Sequence, residues 1–267
     1  MKKVLKISVS TLLAILLIMI MIPVLFQGRI KQEVKTLANR KLKSEVNFTE
    51  MHVSFFSHFP NLTLTLSDFS LRSSPPFEKD TLISAHEIAF GVNVISLFEK
   101  TIRITRIYFD KAKVNILYNE HGADNFNVYE SGDTNVSNKD TTALPSAELN
   151  IEHIIFSNCR VVYADPLIPV RVVANGLNYS GVSKISGDFF DLTSDVKIDA
   201  LDFVFDNKKY LDSKPVTAKL TTKLNSKNLS VNFEKNDLKI KDIPLQFQGK
   251  FNFEKDGYQL SLNFLSL

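Results

Sequence analysis

The sequence predicts a mainly β protein: an N-terminal transmembrane helix and a short amphipathic helix, followed by a curled antiparallel β-meander shaped as a groove or an open, taco-like sheet. Three observations predict it. Ile7 to Gly28 contains no charged residue. Beyond residue 45, apolar side chains recur with period 2, the spacing of a strand with one apolar and one polar face. In four of these segments the alternation slips phase by one residue, as a β-bulge does.

Residues 1–6 form a basic tail with Lys2, Lys3 and Lys6, read as cytoplasmic. Residues 7–28 are the expected membrane anchor, with Ile7, Leu12, Leu16, Ile20 and Val24 along it. About 20 apolar residues cross a hydrocarbon core of ~30 Å as a helix. A cleaved signal peptide would have a shorter apolar region and a small-residue cleavage site, whereas this stretch closes on Ile22, Pro23, Val24, Leu25, Phe26, Gln27 and Gly28. The three lysines favour an amino terminus inside. Arg29, Lys31, Lys35, Arg40, Lys41 and Lys43 follow the span, however, so charge bias alone leaves orientation open.

In residues 29–45, Ile30, Val34, Leu37, Ala38 and Leu42 fall on one face of a helix. This amphipathic helix has two readings: lying on anionic headgroups, or capping the first edge of the sheet. Capping is preferred, because an open edge invites pairing with other chains.

The first β segment spans residues 46–130. Leu62, Leu64 and Leu66 alternate with Thr63, Thr65 and Ser67; the phase then slips near Ser67 and Asp68, and Phe69 and Leu71 carry the apolar face on. Pro75-Pro76 breaks the chain. A strand pattern through Ile88, Phe90, Val92 and Val94 follows, then Ile102 and Ile104, which slip across Thr105 and Arg106 to Ile107 and Phe109. Val114, Ile116 and Tyr118 end at the turn signal Asn119 to Gly122. Residues 131–147 have almost no large apolar side chain and read as a polar linker or loop. The second β segment spans 148–267. Leu149 and Ile151 slip to Ile154 and Phe156, and Val196 and Ile198 slip to Leu201, Phe203 and Phe205. Val231 and Phe233 alternate up to a turn expected at Glu234 to Asp237. Leu245 to Phe253 alternate up to Glu254-Lys255-Asp256-Gly257, a strong hairpin signal. Short links force antiparallel neighbours, and four slips of one kind would curl the sheet toward its apolar face.

Composition narrows the function. With 267 residues and 44% hydrophobic side chains, the chain can bury a core; a net charge of +3 without a basic patch argues against nucleic acid as a partner. The single cysteine, Cys159, forbids an internal disulfide, lies far from any lipidation position and is expected in the core. His52, His58, His86, His121 and His153 lack metal-ligand spacing, and there is no nucleophile elbow, phosphate loop or dinucleotide fingerprint. Asp68, Asp110 and Asp165 read as strand-end residues. No enzyme activity, catalytic residue, metal or cofactor is expected.

One resemblance adds to this. The order Phe59-Pro60, Leu62 to Leu66, Phe77, Thr81-Leu82, Val92-Asn93, Ser96-Leu97-Phe98, Ile102, Ile104, Asn119, Gly122 and Asn125 resembles the amino-terminal region of AsmA-family proteins, which are envelope proteins anchored in the inner membrane of Gram-negative bacteria. The resemblance implies a single-pass inner-membrane protein with its β-rich part in the periplasm, and a role in phospholipid supply to, or assembly of, the outer membrane. Family members are usually longer, and the pattern stops midway at Leu265, Ser266 and Leu267, so a truncated chain is expected. The expected partners are the phospholipid bilayer and either phospholipid itself or envelope assembly proteins. In the first reading, Leu62, Leu64, Leu66, Phe90, Val92, Val94, Ile102 and Ile104 line a groove for acyl chains, although the same side chains would also suit a closed core. In the alternative, the protein is structural or regulatory and affects targeting or assembly of membrane proteins through contacts at an open sheet edge.

Overall fold

The computed structural model describes residues 42–58, 61–93, 96, 101–128, 146–186, 189–225, 230–254 and 257–266. The predicted anchor and most of the amphipathic helix lie outside these residues. Residues 42–45 at the end of that helix are not helical; Leu42 sits in a β-bridge instead. Among the described residues, no helix is long and apolar enough to cross a membrane.

Among the described residues, thirteen strands make one sheet. They are β1 (Val46–Asn47), β2 (Glu50–His58), β3 (Asn61–Arg72), β4 (Thr81–Val92), β5 (Thr101–Asp110), β6 (Lys113–Leu117), β7 (Ser146–Asp165), β8 (Val170–Ser186), β9 (Phe189–Phe205), β10 (Lys208–Asn225), β11 (Ser230–Ile240), β12 (Ile243–Glu254) and β13 (Gly257–Ser266). β1 and β2 pair with β3 one after the other, as two halves of a single edge. β5 and β6 likewise share one lane between β4 and β7. From β7 to β13 every strand pairs antiparallel with the next, so the predicted meander is present.

The structure corrects that picture at one joint. β5 and β6 run parallel to β7, so the sheet is mixed and the two β segments form one continuous sheet. Parallel neighbours need a crossover of a dozen or more residues, and residues 118–145 connect these strands. The polar linker thus belongs to a crossover, a role its composition did not reveal.

The slip predicted at Ser67 and Asp68 is a left-handed residue, and the same conformation recurs on neighbouring strands at positions where no slip was predicted. Asp68 (φ 48°), Lys111 (φ 47°) and Asn158 (φ 50°) adopt the left-handed conformation. The registers on either side place them on one line across β3, β4, the β5–β6 lane and β7: Ser67 faces Glu87 and Phe69 faces Ala85, Glu87 faces Asp110, and Asp110 faces Ser157. Gly176 (φ 65°) in β8 and Ser213 (φ 48°) in β10 continue the series. A left-handed residue spends one position without alternating, so Leu66 and Phe69 both keep to the apolar face. Side chains brace the line: Thr49 Oγ1 donates to Asp68 Oδ2 (3.0 Å), Asn158 N to Asn178 Oδ1 (3.1 Å), and Ser213 N to Asp202 Oδ1 (3.0 Å). Asp68 therefore lies inside a strand, not at its end as predicted, whereas Asp110 and Asp165 do close β5 and β7. The slip at Thr105 appears as a register shift between Ile104 and Arg106 against β7, where Leu149 and His153 are their partners.

The turn predicted at Glu234 to Asp237 is instead a bulge inside β11, where the pairing with β12 shifts between Phe233 and Asn236. Asn236 is fully buried, and its Oδ1 accepts from Thr221 N at 2.6 Å, so the turn-like residues fill the gap that the bulge opens. The hairpin turn falls at Lys241, which has φ 54°.

A left-handed backbone costs an ordinary L-residue roughly 1–2 kcal/mol. Lys111→Gly is therefore expected to raise stability, by up to about 1 kcal/mol after the glycine's extra unfolded-state entropy is deducted. Gly176→Ala should lower it by at least that much, since a Cβ there would also collide with Asp199. Urea unfolding followed by circular dichroism measures both.

Candidate functional site

Register places the apolar side chains in rows that run across the sheet. The longest runs Met51, Leu66, Ile88, Phe109, Phe156, Tyr179, Val196, Ala218, Leu238, Leu245, each facing the next on the neighbouring strand. Ten strand lanes contribute one member each, and none is charged. At ~4.8 Å per strand the row extends about 43 Å. Met51, Leu66 and Ile88 are buried at 1%, 4% and 3% exposure; from Phe109 onward the members are half-buried. Edge-to-face packing of Phe109 on Phe156 (4.9 Å) and a tilted contact of Phe156 with Tyr179 (5.4 Å) tie the two predicted segments together at the parallel joint.

Over the second half of this row lies a concavity of about 810 Å³, with Phe156, Tyr179, Val196, Ala218, Leu238 and Leu245 among its lining residues. That volume is within the ~300–1,000 Å³ typical of small-molecule sites. Asp195, Lys197, Lys219, Asp237 and Lys239 also contribute to its lining, and beside it Tyr179 Oη and Ser194 Oγ are 2.8 Å apart, with Ser194 buried. Gly181 makes room for this arrangement, because a Cβ there would collide with the Tyr179 ring.

The residues singled out from the sequence share this face. Leu62 faces Val92, and Val92 faces Ile104; Leu64 faces Phe90; Leu66 belongs to the long row. Leu66 and Val92 are buried, and Leu64 and Phe90 pack against the cluster of Val46, Phe48, Met51, Leu66, Leu71 and Leu82. None of the six lines the concavity, which begins at β7, one to three strands away. Ile102 falls in β5, but its side chain, like Val94 and all five anchor residues, lies outside what is described. The residues that line the concavity were visible only as strand alternation; which of them meet depends on a register that the sequence does not state.

The polar positions of the resemblance turn out to hold the frame. Asn125 is fully buried: its Oδ1 accepts from Leu117 N (2.9 Å), and its Nδ2 donates to Asn115 O (2.8 Å) and Ser73 Oγ (3.2 Å). Asn119 Oδ1 accepts from His121 N and Ala123 N, shaping the turn in which Gly122 has φ 78°. Ser96, also fully buried, donates its hydroxyl to Asn93 O (2.6 Å) and accepts from Arg103 N (3.0 Å), linking the ends of β4 and β5.

Among the described residues, no three of His, Cys, Asp or Glu group as a metal site. Cys159 is buried as expected, and burial pushes its thiol up from the ordinary range, with the Asp110 charge adding to the shift and hydrogen bonds from the Ala112 and Ser157 backbone opposing it. A nucleophilic cysteine needs the opposite environment.

Among the described residues the fold is one mixed β-sheet crossed by a continuous apolar row. The model of the AsmA family matches residues 1–253, and the chain belongs to that family. No curated protein and no solved structure matches it.

Two outcomes follow. Asn125→Ala leaves the buried Leu117 N and Asn115 O without their partner and should cost about 1–3 kcal/mol per unsatisfied group, read as a lower urea midpoint. Cys159 should resist thiol reagents at pH 8 in the native protein and react at a rate limited by opening. Because its folded pKa is raised, the unfolded thiol ionises first, near pH ~8.5. Stability is therefore unaffected by this group below that pH and falls as pH rises through and above it, which unfolding curves at pH 7 and 10 on wild type and Cys159→Ala would separate.

Proposed function

We propose that this is an inner-membrane-anchored periplasmic protein that holds phospholipid acyl chains on the apolar face of a curled, groove-like sheet, and so contributes to phospholipid transport or outer-membrane assembly. It acts by binding, not by catalysis. The observation that carries this reading is the continuous uncharged row from Met51 to Leu245, with a concavity over its second half. A lipid tail spans half of a ~30 Å bilayer core, about 15 Å, so three or four strand spacings accommodate one. Each CH2 taken from water contributes ~0.8 kcal/mol, which makes such a face a favourable resting place for a chain while the headgroup stays in water. Membership of the AsmA family supports the envelope setting.

A second reading is favoured by β13. It pairs with β12 only, among the described strands, and Gly257 to Leu267 carries no charged residue. Leu260, Phe264 and Leu265 are exposed there. Such an edge suits addition of a strand from a partner protein.

The test is lipid occupancy of the full chain, purified in mild detergent and examined by native mass spectrometry with lipid extraction. Val196→Asp and Leu238→Asp, both in the half-buried part of the row, are expected to lose co-purified phospholipid while keeping a wild-type circular dichroism spectrum. A wild-type chain free of lipid, or folded variants with undiminished lipid, would sink the groove reading and move attention to the β13 edge.

A further inference from the structure

Eleven large apolar side chains are exposed among the described residues, and they are not scattered evenly. Phe126 (40%), Leu167 (58%), Ile168 (36%), Phe205 (43%) and Tyr210 (54%) lie in or beside three neighbouring connections at one end of the sheet. These are the loop after β6, the β7–β8 turn and the β9–β10 turn. A chain of contacts joins them. Phe126 packs edge-on against Tyr118 (5.6 Å), and Tyr118 against Tyr163 (6.1 Å). A Cβ at Gly122 would lie 3.3 Å from Leu167 Cδ1, so the loop touches the β7–β8 turn. Asp206 N donates to Pro169 O (2.9 Å), joining that turn to the next.

The same chain of contacts leads to the point where the polypeptide arrives from its N-terminal region. Lys43 N donates to Val128 O (2.7 Å), and Leu42 and Val128 both pack against the first core cluster. The uncharged stretch Ile7 to Gly28 ends only 14 residues before Leu42, about 21 Å if helical. The most exposed tip, Pro166-Leu167-Ile168-Pro169, has no charge and is bounded by two prolines.

We infer that this end of the sheet is a membrane-docking rim. Leu167 and Ile168 insert into the outer leaflet edge of the bilayer that holds the anchor, while Phe126, Phe205 and Tyr210 rest at the headgroup level, where aromatic side chains are favoured. The sheet is thereby held against the bilayer instead of swinging on a tether. The charges around the rim are mixed, Arg171, Lys208 and Lys209 against Glu120, Asp165 and Asp206. Docking therefore rests on apolar contact and needs no anionic lipid, unlike the polybasic mode. This inference relies on the anchored reading above but not on lipid in the groove.

The chain contains no tryptophan, so single tryptophans report depth directly. The full chain carrying Leu167→Trp, Ile168→Trp or Phe189→Trp is reconstituted into vesicles of phosphatidylcholine, with and without bromine on the acyl chains. Phe189 is 56% exposed but starts β9 at the opposite end of the sheet. Leu167→Trp and Ile168→Trp are expected to emit to the blue of Phe189→Trp and to lose most of their emission in brominated vesicles, at low and high salt alike. Phe189→Trp should lose none. Water-like, unquenched emission from both rim positions in a chain that floats with the vesicles would overturn the rim, as would equal quenching at all three positions. A chain that does not float with vesicles overturns the anchor and the rim together, whereas loss of groove lipid in the occupancy experiment leaves the rim standing.

Discussion

The constraint on which this structure depends is that one sheet must keep an apolar row continuous on one face along strands of up to 20 residues. Strict alternation does this only while a strand runs straight. Where the lanes bend, a residue in the left-handed conformation absorbs one position and the next apolar side chain returns to the same face. Asp68, Lys111, Asn158, Gly176 and Ser213 fill that role. Two of them, Asp68 and Asn158, are of the type that visits this region most readily among side chains with a Cβ. Their backbone strain is offset by side-chain hydrogen bonds across the line and by the burial preserved on both sides of it.

The apolar row inherits its continuity from that line. Met51 and Leu245 are separated by 194 positions in sequence (245 − 51) yet belong to one cross-strand row, because every register between them is held. The parallel joint matters most. If β7 slipped by one residue against the β5–β6 lane, Phe156 would turn to the polar face and the row would break in the middle. The packed Phe109, Phe156 and Tyr179 rings and the Lys111 N to Ser157 O and Arg160 N to Ala112 O hydrogen bonds fix that register.

The polar residues of the frame divide the labour differently. Asn125, Ser96 and Asn119 each satisfy several backbone groups at strand ends and crossings, so they set where lanes start and stop. Their place in a family pattern reflects this geometry. The apolar face, by contrast, is made of interchangeable Leu, Ile, Val and Phe, which explains why a pattern rich in structural positions says so little about what the face holds.

Sequence alone determined the class of fold, the period-2 strands, the hairpin before Gly257, the burial of Cys159 and the slips near Asp68 and Thr105, since each follows from local alternation or turn chemistry; it did not show the left-handed residues Lys111, Asn158, Gly176 and Ser213. It misread Glu234 to Asp237, because turn-forming residues serve a bulge equally well. It also misread Asp68, because left-handed backbone and strand end share the same residue preference. Only the tertiary structure decided that β7 lies parallel to β5 and β6, that the two segments make one sheet, and which side chains line the concavity. Those depend on pairing between residues far apart in the chain, where register, a relation between strands, is written in no single stretch of sequence.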